Sequence, residues 1–130
     1  MRLTPAGLQF VRERHLATLT SLRPDGSPHV TPVGFTWDAE RGLARVITSA
    51  TSRKARHAAL GAALVLCQVD GRRWLSIEGT GRVSSDADDV AEAVARYAER
   101  YRAPRENPAR VAIEIEATRF LGSAQFHTRE

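Results

Sequence analysis

Cysteine is nearly absent from this 130-residue chain: Cys67 stands alone, so no intramolecular disulfide can form. It lies in the apolar run Ala63-Leu64-Val65-Leu66-Cys67. There a thiol reads as buried and inert, with no neighbour to lower its pKa and make it a nucleophile. No apolar run approaches the roughly 20 residues a membrane-spanning helix needs, and Met1 to Arg14 lacks the apolar core of a signal peptide. These absences lead to the expectation of a cytoplasmic protein without a membrane partner. Lysine is just as scarce. Lys54 is the only one, and every other basic residue among the 19 is arginine, set against 15 acidic residues for a net charge of +4. The arginines are scattered, with no basic run, no interleaved aromatics and no recognition helix, which argues against nucleic acid as a partner. Familiar catalytic templates are missing too: no G-x-G-x-x-G, no Walker loop, no G-x-S-x-G and no H-E-x-x-H. His15, His29, His57 and His127 have no metal-ligand spacing, so no metal site is expected.

What is present describes one domain over residues 1–130, with a structured core from about 4 to 123 and a tail from 124 to 130 that is loose or packed on a partner. Hydrophobic residues at 42% and charged residues at 26% suit a globular chain of this length. Thr4-Pro5 caps a short helix reaching about Arg12. His15 to Leu22 is a strand, and Arg23-Pro24-Asp25-Gly26 is a hairpin turn. Pro28 to Trp37 reads as the return strand, interrupted by Pro28 and Pro32 and so placed at an edge or bulged. Leu43 to Thr48 is the third strand. Ser52 opens a short helix that ends before Gly61. Ala63 to Val69 reads as a buried central strand, Asp70-Gly71 as a turn, and Trp74 to Ser84 as an alternating strand with Leu75 and Ile77 on one face. Asp86, Asp88 and Asp89 open the clearest helix, and Arg96, Arg100 and Arg102 close it, in keeping with the helix dipole. Its stripe Val90, Val94, Tyr97 and Tyr101 reads as core packing. Val111 to Phe120 is the last strand, with Val111, Ile113 and Ile115 on one face and Glu114 and Glu116 on the other. Six hairpin-linked strands around one small core imply a mainly-β protein: a six-stranded antiparallel barrel with flanking helices.

One segment carries chemistry. In Ile47-Thr48-Ser49-Ala50-Thr51-Ser52-Arg53-Lys54-Ala55 a strand ends in hydroxyl residues and a helix opens at Ser52. Free backbone N–H groups therefore face the turn, and Arg53 and Lys54 add two positive charges where the helix dipole disfavours them. An anion there would relieve that opposition, which makes Thr48, Ser49, Ser52, Arg53 and Lys54 a phosphate site. A solvated helix start with incidental charges explains the same residues, and the residues alone leave both readings open.

The segments HLATLTSLRPDGSPHVTPVGFTWD, ARVITSATSRKARHA and RWLSIEGTGRVSSD, in this order and spacing, resemble the pyridoxamine-phosphate-oxidase-like split β-barrel superfamily, whose fold is FMN-binding-like. The resemblance runs from about Thr4 to Ser123. RYAERYRAPRENPARVAIEI and the following FLGSA resemble the deazaflavin-dependent biliverdin reductases of actinobacteria. The resemblance implies a homodimer with two cofactor sites between the protomers. It implies a cofactor phosphate at Ser52, Arg53 and Lys54, with Thr48 and Ser49 adjacent. A tricyclic ring would lie along Val30, Thr31, Pro32, Val33, Gly34 and Phe35. Trp74 takes a position that commonly holds a ring- or ribityl-contacting glutamine in FMN-dependent members.

Departures from the family pattern point to coenzyme F420 in place of FMN. The C-terminal arm with which true pyridoxamine-phosphate oxidases grip their substrate has no counterpart up to Glu130. The basic residue usual at the end of their second strand is replaced by Gly34-Phe35. F420 carries a phospholactyl tail with several glutamates, for which Arg56, Arg72 and Arg73 are candidate contacts. The implied activity is hydride transfer from reduced deazaflavin to an organic acceptor, biliverdin or a similar tetrapyrrole. The cofactor carries the chemistry, so no protein nucleophile is required. No catalytic residue is assigned, and His29, beside the ring strand, is the side chain to test for proton delivery. An FMN-dependent oxidoreductase or FMN-binding protein, and a non-enzymatic carrier of cofactor or haem, are the alternatives on the same fold.

Overall fold

The computed structural model describes residues 2–129. Its elements in chain order are β1 (Arg2–Leu3), α1 (Pro5–Phe10), β2 (Ala17–Leu22), β3 (Pro28–Val33), β4 (Thr36–Asp38), β5 (Leu43–Ser49), α2 (Arg53–Ala59), β6 (Ala63–Asp70), β7 (Arg73–Ser84), α3 (Ala87–Arg100), β8 (Arg110–Gly122), a single 3-10 turn (Ala124–Phe126) and β9 (His127–Thr128). All ladders are antiparallel. Seven strands form one sheet in the order β3-β2-β6-β7-β8-β5-β4, and β1 pairs with β9 apart from it.

The six-strand expectation fails at one place. Pro28 to Trp37 is two strands, broken at Gly34-Phe35. β3 forms one edge of the sheet and β4 the opposite edge. Two residues bridge them, so the sheet curls until its edges approach. That is the split-barrel form expected from the sequence, with one strand more. Pro28 and Pro32 fall on β3, an edge strand where a missing N–H breaks no ladder. A register shift at Glu78/Gly79 bends β7 against β8, and a Cβ at Gly79 would overlap the Glu116 carbonyl. At the β2–β3 turn Gly26 takes φ +86°, and the Asp25 carboxylate accepts from the Ser27 N–H at 2.9 Å.

The core lies inside the curl. Leu19, Phe35, Leu64, Leu66, Leu75, Ile77, Ile113 and Ile115 are each essentially inaccessible. β6 is central but buries only alternate residues, and Cys67 is half-buried on its outer face, not fully buried as its apolar run implied. Asp86 caps α3 by accepting from the Asp88 and Asp89 N–H groups. The α3 stripe is half-buried throughout, and only Ala93 is fully enclosed.

The tail is not loose within the described residues. Phe126 is buried and stacks on Phe10 with ring centroids 4.5 Å apart. The Thr4 hydroxyl donates to the Gln125 carbonyl at 2.5 Å, and a Cβ at Gly7 would overlap the Phe126 carbonyl. A single phenylalanine among polar residues thus ties the chain's end to its beginning. A second unexpected feature is ionic. Arg45, 3% exposed, donates to Asp38 at 2.9 Å and lies 3.9 Å from Glu114, itself 2% exposed and held by Arg82 Nε at 2.9 Å. Burial disfavours ionisation of Asp38, but the hydrogen bonds from Arg45 and the Arg41 N–H and the nearby Arg96 charge outweigh it and hold the carboxyl below its usual range.

Candidate functional site

The turn from β5 into α2 is built as the motif suggested. Ser52 Oγ accepts from the Ala55 N–H at 3.2 Å and from the Thr48 hydroxyl at 3.0 Å. Ser49 Oγ accepts from Asn107 Nδ2 at 2.8 Å, and the Ala50 N–H donates to the Ala109 carbonyl at 2.8 Å. The turn is therefore clamped to the α3–β8 loop. Asn107 is the chain's only asparagine. The first turn of α2 holds no acidic residue, and among the described residues no hydrogen bond or ion pair engages the side chains of Arg53, Lys54 or Arg56.

Beside the turn lies a cleft of about 400 Å³. Pro32, Val33 and Gly34 form one side and Thr48, Ser49 and Lys54 another, so the two segments singled out in the sequence meet here. Tyr97, Asn107 and Arg110 close the third side. These three were not anticipated. The signal available was a helix stripe that uses tyrosine where leucine would pack better, and a lone asparagine between two prolines. Gly34 has a steric reason. A Cβ there would stand 2.9 Å from Tyr101 Cε2 and 3.0 Å from Tyr97 Cε2. Tyr101 also ties the β3–β4 link, donating to the His15 carbonyl at 2.6 Å and accepting from the Phe35 N–H at 3.3 Å. Arg100 adds a bond from Nη2 to Gln68 Oε1 at 2.7 Å. Burial pushes the Arg100 pKa down and the Tyr101 pKa up. We predict that Gly34→Ala costs about 1–3 kcal/mol by overpacking against the two tyrosines, seen as a lower urea midpoint; unchanged stability would show that the rings move aside freely.

Other residues singled out in the sequence lie outside the cleft. Val30 is exposed on β3 outside the cleft lining, and Phe35 is a core residue. Ser52 acts through its cap, and Arg53 is exposed beside Lys54. Trp74 is exposed at the opposite end of the β7–β8 ladder from Arg110. Thr31 and His29 share a face of β3 with Val33, and Thr31 Oγ1 and His29 Nδ1 are buried with no hydrogen-bond partner. The His29 ring meets His57 edge-on with centroids 5.1 Å apart, and His57 Nδ1 is 2.8 Å from Ser21 Oγ. Burial, then the charges of His57, Arg23, Arg53 and Lys54, lower the His29 pKa. Of the candidate tail contacts, Arg73 is already engaged by Glu13, at 2.8 Å, and by Asp70. The same guanidinium occupies the cation position in the cluster of Glu13, His15 and Asp70. Arg56 and Arg72 are exposed.

The model of a protein family described as pyridoxamine 5'-phosphate oxidase matches residues 3–123. The chain belongs to this family. Within it, the chain is 55% identical, over 98% of its own length and 93% of the relative's, to a Mycobacterium tuberculosis protein (strain CDC 1551 / Oshkosh) named F420H(2)-dependent biliverdin reductase. Among solved structures, one titled F420 reductase aligns at TM-score 0.72 and 23% identity, over 87% of this chain and 94% of that one. A conserved hypothetical protein from Mycobacterium tuberculosis aligns at TM-score 0.79 and 24% identity, over 92% and 83%. The structural likenesses establish the pyridoxamine 5'-phosphate oxidase fold. The cleft's donor set suits a phosphate-bearing cofactor: an unpaired cation at Lys54, with Arg53 exposed beside it, and hydroxyls at Thr48 and Ser49, while the orphaned polar atoms of Thr31 and His29 lie outside the lining.

Proposed function

We propose that this protein is an F420-dependent reductase of an organic acceptor, with biliverdin or a closely similar tetrapyrrole as the acceptor. The observation that carries the reading is the cleft itself, where an unpaired Lys54 and the hydroxyls of Thr48 and Ser49 face the strand end Pro32-Val33-Gly34. Full-length likeness to an F420H(2)-dependent enzyme favours F420 over the FMN-dependent and carrier alternatives. In this reading Lys54 and Arg53 hold the phosphate, and the Val30 to Phe35 segment lies along the ring. Bound F420 in its reduced form supplies a hydride. The protein's part is to place the acceptor, exclude water and hold charge steady. Thr31 Oγ1 and His29 Nδ1 gain the hydrogen bonds they lack.

A homodimer belongs to the same proposal. Val30, Val69, Trp74 and Leu121, between 41% and 58% exposed, lie on β3, β6, β7 and β8. Val69 stands opposite Trp74 in the ladder, and Leu121 opposite Ser76, two residues along. A second copy would cover this apolar face. Trp74, distant from the cleft of its own chain, would reach a cofactor only across that interface.

The test is turnover: reduced F420 is oxidised when biliverdin is added, with bilirubin formed in step. Tight F420 binding without turnover of biliverdin or related tetrapyrroles would refute the reductase reading. The pH dependence of binding offers a separate check. The F420 phosphodiester does not titrate between about pH 5 and 8. Burial and the neighbouring cations hold the His29 pKa below its usual range, and an anion beside it favours its protonated form. F420 affinity is therefore expected to rise severalfold as pH falls from 8 to 5.5, and His29→Gln to flatten the profile. A flat wild-type profile would remove His29 from the site. In the free protein the sign differs: the unfolded chain takes this proton more readily, so His29 lowers stability as pH falls through 6.5.

A further inference from the structure

Three hollows share the Tyr97 side chain as a wall. One is the cofactor cleft. The second, about 600 Å³, is lined by the α3–β8 loop and has Pro104, Asn107 and Arg110 in common with the cleft. The third, about 350 Å³, lies toward the start of β2 and has Arg102 in common with the second. Together they form one extended concave surface running away from Lys54.

Several of the chain's arginines are spent on intramolecular partners. Arg45, Arg73, Arg82 and Arg96 are each paired with a carboxylate, and Arg100 is bound to carbonyls. Arg102 and Arg105 are exposed, and among the described residues neither guanidinium has a hydrogen bond or an ion pair. The loop from Arg105 onward is nonetheless held in place. The Arg105 carbonyl accepts from Arg110 Nη2 at 2.6 Å, and Asn107 spans the loop, donating to Ser49 at 2.8 Å and accepting from the Ala109 N–H at 3.0 Å. Two free guanidiniums in the lining of one tyrosine-walled hollow suit a ligand that carries carboxylates. Arginine recognises carboxylate through paired, charge-assisted hydrogen bonds.

We infer that Arg102 and Arg105 bind the carboxylates of the acceptor, making this loop the specificity element for a conjugated dicarboxylic acid. The inference rests on the proposed reductase activity. It divides the cations of the site by wall: Arg53 and Lys54 on the α2 side take the cofactor phosphate, and the α3–β8 loop takes the acceptor.

The experiment compares biliverdin with its dimethyl ester as acceptors for reduced F420, in the wild-type protein and in the Arg102→Gln/Arg105→Gln double variant. F420 affinity is measured on both by fluorescence titration. In the wild-type protein the KM for the ester is expected to exceed that for the diacid about tenfold. In the double variant that ratio falls to about one, through a higher KM for the diacid, while the F420 dissociation constant stays at its wild-type value. A wild-type protein that treats diacid and ester alike overturns this inference and leaves the reductase reading standing. So does a double variant that keeps the preference, and so does a raised F420 dissociation constant, which would assign the loop to the cofactor tail. Absence of turnover with both acceptors overturns the reductase reading and this inference together.

Discussion

Lys54→Ala is expected to raise the dissociation constant for F420 roughly 10- to 100-fold while leaving the fold intact. A hydrogen bond to a charged group contributes about 1.5–3 kcal/mol, and each 1.4 kcal/mol is about tenfold in affinity. Lys54 lines the cleft beside Thr48 and Ser49, and the other cation of the lining, Arg110, is bonded to the Arg105 carbonyl. No ion pair within the described chain competes for it, so its charge is available to a ligand without breaking an existing contact. The same fact predicts that stability changes by no more than about 0.5 kcal/mol. Arg53, more exposed and outside the cleft lining, should contribute less. Fluorescence titration of F420 against wild type, Lys54→Ala and Lys54→Arg checks the point, with the arginine variant recovering part of the loss. An unchanged constant in Lys54→Ala would remove this residue from the site.

Glu114→Ala is expected to destabilise the protein by about 1–3 kcal/mol, because it removes one of the two buried carboxylates beside Arg45 and the acceptor that holds Arg82. Arg45 lies 3.9 Å from Glu114 and is 3% exposed, so water cannot replace the carboxylate. Asp38, at 2.9 Å from Arg45, compensates only in part. Arg82, largely exposed, loses its anchor but can turn to solvent. Against the 5–15 kcal/mol typical of a domain, this is a large fraction. Urea unfolding should show it as a clear drop in midpoint. Glu114→Gln keeps the shape and a hydrogen-bond acceptor for Arg82, and its loss should be smaller. A Glu114→Ala variant as stable as wild type would show that the buried charges rearrange at no cost.

Glu114 also shows where sequence pattern stops. Val111, Ile113 and Ile115 alternate as the sequence indicates, which places Glu114 on the other face of β8. Alternation does not say that this face is covered as well. Here α3 and the flanking strands cover it, and the glutamate is legible only as one end of an ion chain whose members are scattered from Asp38 to Glu114. Gly34-Phe35 is a second limit. A return strand with two prolines was readable, but its breakage into opposite sheet edges is a property of the whole curled sheet. Phe126 is a third, since one aromatic in a polar tail carries no period. The S-R-K turn was legible because its chemistry is local: a cap at Ser52 and two cations with no acidic neighbour. Tyr97, Asn107 and Arg110 reach the same cleft from a helix, a loop and the start of β8 some 50 residues later in the chain, and no local pattern marks them. Trp74 lies outside the cleft of its own chain, so its assignment depends on the proposed dimer.

The central claim is that this cleft binds F420, and a side-by-side titration of the purified protein with F420 and with FMN tests it most directly. Saturable F420 binding is expected, weakened in Lys54→Ala, with FMN binding much weaker or absent. Tight FMN binding, with F420 bound weakly and indifferent to Lys54, would contradict it.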